Sequence, residues 1–176
     1  KFTPLSTTSF VDSFTIPSND PDESSVVVNV VGQGQAAPVA DITVTDSLSP
    51  TNDLQVPFGT VAVGSSSSQT VTVKNDGNAD LVLGTVGSVD QLAASFAIKT
   101  DTCSGQTLAP AASCTTTVEF APASAGPFAD SFNIPSNDPD EASVTVSLNG
   151  TGSLTAVGDI KVADSIAPAD DLLIPF

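Results

Sequence analysis

Apolar and polar residues alternate in short runs along most of this chain, and Gly, Pro, Asn or Asp residues separate the runs. The alternating positions are Ile42/Val44, Leu54/Val56/Phe58, Val71/Val73, Leu81/Leu83, Phe96/Ile98, Thr116/Val118/Phe120, Phe128/Phe132/Ile134 and Val144/Val146/Leu148. A period of two places successive side chains on opposite faces of a strand. The pattern therefore predicts seven or eight strands in an all-β fold, an antiparallel immunoglobulin-like β-sandwich.

The chain also contains a long internal repeat. The segment FVDSFTIPSNDPDESSVVVNVVGQG at residues 10–34 returns as FADSFNIPSNDPDEASVTVSLNGTG at residues 128–152, an offset of 118 residues. The same offset relates residues 41–58 to residues 159–176 without a gap. Because a repeat of this kind marks a tandem array, we expect immunoglobulin-like modules with a 118-residue period.

The repeat predicts the module boundaries. One complete module occupies residues 39–152, residues 1–34 are the C-terminal strands of a preceding module, and residues 156–176 are the N-terminal strands of a following one. Neither partial module has a counterpart of residues 59–118, so its open edges are expected to be completed by the continuing polypeptide or by a neighbouring subunit. The residues expected to be buried only in the completed assembly are Phe10, Phe14, Val26 and Val28.

Composition restricts the function. The chain has 20 acidic residues against 4 lysines, a net charge of −16, and no His, Arg, Trp, Tyr or Met. Such a charge repels nucleic acids and anionic lipid surfaces, and no apolar run is long enough to enter a membrane. Without His there is no side chain suited to moving protons near neutral pH. Binding of nucleic acid, membrane insertion and catalysis are therefore not expected.

Four segments carry a family resemblance: VPFGTVAVG, VTVKNDGNADL, CSGQTLAPAASCTTTVEFAPASAG and FNIPSNDPDEASVTVSLNGTG. Together they resemble the immunoglobulin-like repeats of the choice-of-anchor D group of bacterial surface proteins, which are relatives of the abnormal-spindle/hydin-like domains. The resemblance implies a secreted, tandemly repeated protein attached to the bacterial cell surface. No catalytic motif belongs to the family pattern, so none is expected here.

The two cysteines, Cys103 and Cys114, flank a ten-residue loop. Given the secretion that the resemblance implies, we expect them to form a disulfide. The alternative is a pair of reduced core thiols, which the polar, proline-containing loop disfavours.

Two acidic turns are the candidates for a metal site. The turns NDGNAD at residues 75–80 and SNDPDE at residues 136–141 are expected at the same end of the sandwich. The candidate ligands are Asp76, Asp80, Asp138, Asp140 and Glu141, and calcium is the cation that such oxygen clusters suit. The alternative is that these residues simply form tight turns.

Three further features have weaker functional interpretations. Asn149 begins an N-x-T glycosylation motif, but a turn at a strand end is the preferred interpretation. Glu119 has no second carboxylate at a spacing that indicates a glycosidase. Lys74 is conceivable as the donor of an isopeptide crosslink, although it adjoins an exposed turn.

The sequence therefore predicts a structural repeat of an extracellular stalk, adhesin shaft or filament. Its expected partners are neighbouring copies of the repeat, and calcium is the one cofactor considered. The alternative is a calcium-dependent adhesion or ligand-binding module at the cell surface.

Overall fold

The computed structural model describes residues 1–88 and 92–155. The segment 156–176, predicted to start a following module, lies outside the described residues. The strands are β1 (Ser9–Pro17), β2 (Ser25–Gln33), β3 (Ile42–Asp46), β4 (Gln55–Ala62), β5 (Ser67–Asn75), β6 (Leu81–Val82), β7 (Phe96–Asp101), β8 (Thr107–Leu108), β9 (Ser113–Phe120), β10 (Gly126–Pro135) and β11 (Ser143–Ser153). Across the described part of the chain, no helix is long and apolar enough to cross a membrane.

Strands β3 to β11 form an immunoglobulin-like sandwich, which confirms the predicted fold class. One sheet has the order β3-β5-β9-β7 and is antiparallel throughout. The other has the order β10-β11-β4, and β6 and β8 form a small ribbon beside them. Two details differ from the expectation. Strand β4 pairs with β11 in parallel, so the sandwich is not wholly antiparallel, and β8 lies inside what was predicted to be a loop between the cysteines.

The core is built from the inward positions of the alternating strands. Val71 and Val73 of β5 and Val118 of β9 are fully buried in one sheet, and Phe132 and Ile134 of β10 are buried in the other. Other residues of the same core include Val56, Phe58, Phe96, Phe120, Val144, Val146 and Leu148. Burial of these apolar side chains is the main stabilising contribution to the module.

Strands β1 and β2 form a separate antiparallel hairpin. Its pairing joins Phe10 to Gly32 and Phe14 to Val28. The pairing of β10 with β11 joins Phe128 to Gly150 and Phe132 to Val146, which is the same register shifted by 118 residues. In contrast to β10 and β11, β1 and β2 share extensive contacts with each other and with no other described strand.

Candidate functional site

The two acidic turns lie at the same end of the sandwich, as the sequence predicts. The turn at 75–80 follows β5, and the turn at 136–141 joins β10 to β11. They meet at a shallow pocket of about 350 Å³ beside the segment that enters β3. The residues that line it are Val39, Ala40, Asp41, Asp76, Gly77, Asn78 and Asp140.

The turn at 75–80 binds the entering segment through its backbone and one amide side chain. The Val39 amide donates to Asn78 Oδ1 at 2.8 Å, and the Val39 carbonyl accepts from the Asn78 and Ala79 amides at 2.9 and 3.1 Å. The Asp76 amide donates to the Asp41 carbonyl at 2.9 Å. A Cβ at Gly77 would lie 2.4 Å from the Val39 carbonyl oxygen, so only glycine permits this close approach.

The buried side chain of Asn75 forms hydrogen bonds that stabilise the same turn. Its side chain is fully buried, and Nδ2 donates to the carbonyls of Ala79 and Leu108, each at 2.8 Å. Its Oδ1 accepts the Gly77 amide at 3.0 Å. These bonds engage both N–H donors and the oxygen of the buried amide, as burial of a polar group requires. Asn75 therefore stabilises the junction, which is the contact between the turn at 75–80 and the segment that enters β3. The sequence alone did not single this residue out.

Asp138 is committed to backbone amides. It is only 2% exposed, and its Oδ2 accepts the Ile42 amide of β3 at 2.8 Å. Its Oδ1 accepts the amides of Asp140 at 3.1 Å and Glu141 at 3.4 Å. Burial by itself raises the pKa of Asp138, but the amide hydrogen bonds, led by that from Ile42, outweigh it and lower the pKa. The carboxylate thus fastens the turn to β3.

The other predicted ligands are divided between the pocket and its surroundings. Asp140 and Asp76 line the pocket with Asp41, a third carboxylate that sequence reasoning did not include. A hydrogen bond with the Asp138 carboxylate, together with repulsion from its charge, raises the pKa of Asp140, while a hydrogen bond from Lys74 lowers the pKa of Asp76. The Lys74 ammonium group and the Asp76 carboxylate form an ion pair at the surface.

Asp80 and Glu141 are exposed and do not line the pocket. Among residues 1–88 and 92–155, no three Asp, Glu or Cys side chains converge closely enough to hold a metal ion. Binding of calcium by Asp76, Asp80, Asp138, Asp140 and Glu141 stays a prediction, and of these residues Asp76 and Asp140 line the opening.

The cysteines are joined. The Cys103–Cys114 disulfide links the end of β7 to the beginning of β9, with both residues buried. Asp101 supports it, because its Oδ1 accepts the Cys103 amide at 2.8 Å and the Thr116 hydroxyl at 3.1 Å. Burial raises the pKa of Asp101, but the hydrogen bonds from Ser104, Cys103 and Thr116 together lower it. Asp101 is a second structural carboxylate that no sequence pattern had indicated.

The catalytic and modification candidates have ordinary surroundings. Glu119 forms an ion pair with Lys99 at 3.1 Å. Asn149 is exposed on β11, where it pairs with Ala129 of β10 and with Pro57 of β4, so its motif lies in a strand and not in a turn.

Comparison with known proteins identifies a family and a fold. The family model described as "ASH: Abnormal spindle-like microcephaly-assoc'd, ASPM-SPD-2-Hydin" matches residues 44–144. None of the curated proteins compared is similar in sequence.

Several solved structures resemble the module. The VesB protease of Vibrio cholerae has a TM-score of 0.50 at 20% identity over 62% of this chain and 32% of that one. A protein of unknown function from Porphyromonas gingivalis W83 has a TM-score of 0.51 at 12% identity, covering 85% and 68% of the two chains. An ASH/PapD-like domain of human CEP192 has a TM-score of 0.49 at 16% identity, covering 72% and 95%. At these identities the first two show the fold alone, and this chain spans about a third of the VesB chain.

Proposed function

Since the chain belongs to the ASH (ASPM-SPD-2-Hydin) domain family, we propose that it is a structural repeat of an extracellular stalk, adhesin shaft or filament. The ASH domain is a non-catalytic immunoglobulin-like module, which fits a structural or binding role. What we propose beyond family membership is the location of the protein at the cell surface and its assembly into an array.

The observation that carries the proposal is the bonded junction. Val39 lies between the repeat that ends near residue 34 and the strand that begins at Ile42. Both its amide and its carbonyl are bonded to the turn at 75–80. A linker fixed in this way limits the directions in which the preceding repeat can leave the sandwich, which favours a rod over freely jointed modules.

Two further features support an extracellular array. A disulfide persists in oxidising compartments and is rare in the cytosol. The net charge of −16 opposes non-specific association between long arrays.

Imaging tests the proposal. Native material should show rods whose axial repeat equals one module, and an array built by repeating residues 35–152 should reproduce that spacing. Asn78→Ala removes the acceptor of the Val39 amide and should make the array bend more sharply at each junction. Asn52→Ala, in an exposed turn outside the junction pocket, is the matched control and should leave the rods straight. Randomly jointed modules in the unmodified array would contradict the proposal.

The alternative is a calcium-dependent adhesion module, for which the supporting observation is that Asp41, Asp76 and Asp140 line one opening, although no three carboxylates of the described residues converge as closely as a preformed metal site requires. Calcium there would relieve the repulsion between these carboxylates and stiffen the junction. Removal of calcium with a chelator at constant ionic strength separates this function from a purely structural one. Adhesion that survives chelation would rule the alternative out.

A further inference from the structure

The hairpin β1–β2 presents an uncovered apolar face. Phe14 is 53% exposed, whereas its repeat counterpart Phe132 is 1% exposed in the complete sandwich. Ile16 is 49% exposed, and its counterpart Ile134 is fully buried. Contiguous apolar surface of this kind marks a site of association. The second copy of the hairpin, in the same chain, shows what covers such a face: the sheet β3-β5-β9-β7 packs against it, and strand β4 pairs with the edge of β11.

Phe2 reproduces one piece of that covering. A Cβ at Gly32 would lie 2.7 Å from the Phe2 ring, as a Cβ at Gly150 would lie 2.6 Å from the Phe120 ring. The Phe2 ring also meets the ring of Phe10 edge-on at 5.5 Å. The corresponding contact between Phe120 and Phe128 is edge-on at the same distance. Phe2 therefore occupies the place that the last residue of β9 occupies in the complete module.

Phe2 lacks the other aromatic contacts that Phe120 makes in the complete module. Phe120 stacks on Phe96 at 4.8 Å and packs against Phe58 at 5.7 Å, and it is fully buried. Phe2 is 52% exposed. The open side of the hairpin thus corresponds to the surface that β7 and the rest of β9 cover in the sandwich, next to the edge position that β4 takes beside β11.

We propose that the apolar face of hairpin β1–β2 binds a β-sheet equivalent to residues 39–118, and that this sheet is joined covalently to Lys1. The place of Phe2 decides between covalent completion and a separate partner. A separate intact module brings its own Phe120, whose site against Gly32 is already taken, and its own hairpin β10–β11 already covers its inner face. Two copies meeting hairpin to hairpin would bring together chains of charge −16 each. The inference rests on the tandem-array part of the proposed function and not on its location at a cell surface.

The test is a longer chain in which residues 39–118 are copied ahead of Lys1, which restores the 118-residue register. Amide hydrogen exchange in β1 and β2 should slow by at least about 100-fold, because a fraying hairpin becomes part of a globally protected core. The binding of a hydrophobic dye, which reports exposed apolar surface, should fall to the level expected for two closed sandwiches.

The matched control carries Phe58→Asp and Phe96→Asp in the added copy only. It should leave exchange in β1 and β2 as fast as in the original chain, because the two rings that Phe2 lacks are not restored. A second measurement is the substitution Phe14→Asp. It should be silent in the original chain and should abolish the added protection in the longer one.

Three results would overturn the proposal. The first is an added segment that folds while the hairpin keeps exchanging rapidly. The second is an added segment that gains no slowly exchanging amides of its own, since the same sequence folds against β10–β11. The third is concentration-dependent self-association of the original chain that buries Phe14, which would make a second copy the partner. None of these results depends on whether the native material forms filaments.

Discussion

The hairpins β1–β2 and β10–β11 have nearly the same sequence and the same strand register, yet only the second is packed into a core. Even their turns agree. The Ser18 hydroxyl donates to the Glu23 carbonyl at 2.7 Å, and the Ser136 hydroxyl donates to the Glu141 carbonyl at 2.9 Å. Pairing and turn formation are thus local properties of the repeat. Burial, and the stability that it brings, is supplied by residues distant in the sequence.

The largest difference in unfolding free energy is expected between substitutions of the matched residues Phe132, which is in the core, and Phe14, which is exposed. Phe132→Ala should lower the free energy of unfolding of the module by about 3–5 kcal/mol, since it opens a cavity in a filled core. Phe14→Ala should change it by less than about 0.5 kcal/mol, because that side chain packs against no core. Urea denaturation of the two variants measures both values. Equal losses would mean that β1–β2 is packed as tightly as β10–β11.

The disulfide provides the next test of the comparison. Replacing both Cys103 and Cys114 by Ser should cost the sandwich about 2–4 kcal/mol, because the crosslink restricts the unfolded chain. The disulfide lies in the sheet that covers β10–β11, so exchange in β10 and β11 should accelerate while exchange in β1 and β2 stays the same. Reduction of the unmodified chain is the control and should reproduce the loss. An unchanged urea midpoint in both experiments would contradict this prediction.

Substitutions of the matched turn carboxylates Asp138 and Asp20 should differ by a smaller amount in their effect on the free energy of unfolding. Asp138→Asn keeps one acceptor oxygen and replaces the other by an NH2 group, so either the Ile42 amide or the amides of Asp140 and Glu141 lose their acceptor, which should cost about 1–3 kcal/mol. Asp20 holds only its own exposed turn, through the Asp22 amide at 3.3 Å, so Asp20→Asn should be close to neutral.

Asp138 also predicts that the stability of the sandwich depends on pH. Because the pKa of Asp138 is lower in the folded state, its contribution to stability is fully present above the unfolded value of about 3.9 and is lost as the pH falls through the folded pKa. Melting temperatures measured between pH 7 and pH 2 should fall less steeply for Asp138→Asn than for the unmodified chain. Parallel curves would show that this carboxylate contributes no pH dependence.

The smallest effect is expected from calcium. In the turn of β10–β11, Asp140 shares an opening with Asp41 and Asp76, whereas its counterpart Asp22 in β1–β2 belongs to an exposed hairpin. A weak extracellular site at millimolar calcium stabilises by about 1 kcal/mol at most. If calcium binds at this opening, the melting temperature of the sandwich should rise while exchange in β1–β2 stays unchanged. Magnesium at matched ionic strength controls for screening, and equal responses to both ions would leave only turn chemistry.

Features with a local signal could be predicted from the sequence. The alternation of Val71 and Val73, or of Phe132 and Ile134, marks a strand by itself, and these residues are buried as expected. Strand β8 escaped prediction because two residues, Thr107 and Leu108, carry no periodicity. It exists because β6 lies opposite and pairs with it.

The candidate site divides in the same way. Asn, Asp and Gly residues predicted the two acidic turns, and these turns do meet at one end of the sandwich. The role of each side chain depended on residues distant in the sequence: Asp138 accepts the Ile42 amide, and Asn78 accepts the Val39 amide. No spacing in the sequence encodes these partners, because each lies on a different strand or turn.

The sequence by itself determined the strands, the hairpin register and the 118-residue repeat, because alternation and turn chemistry act between near neighbours. The repeat also predicted that only the second hairpin has the rest of its module within this sequence, and the tertiary structure decided which strands pack against that hairpin. The tertiary structure also decided that β4 joins β11 in parallel and that a turn carboxylate becomes a buried anchor. The physical reason is that apolar burial and the satisfaction of buried amides require surfaces that residues far apart in the chain must bring together.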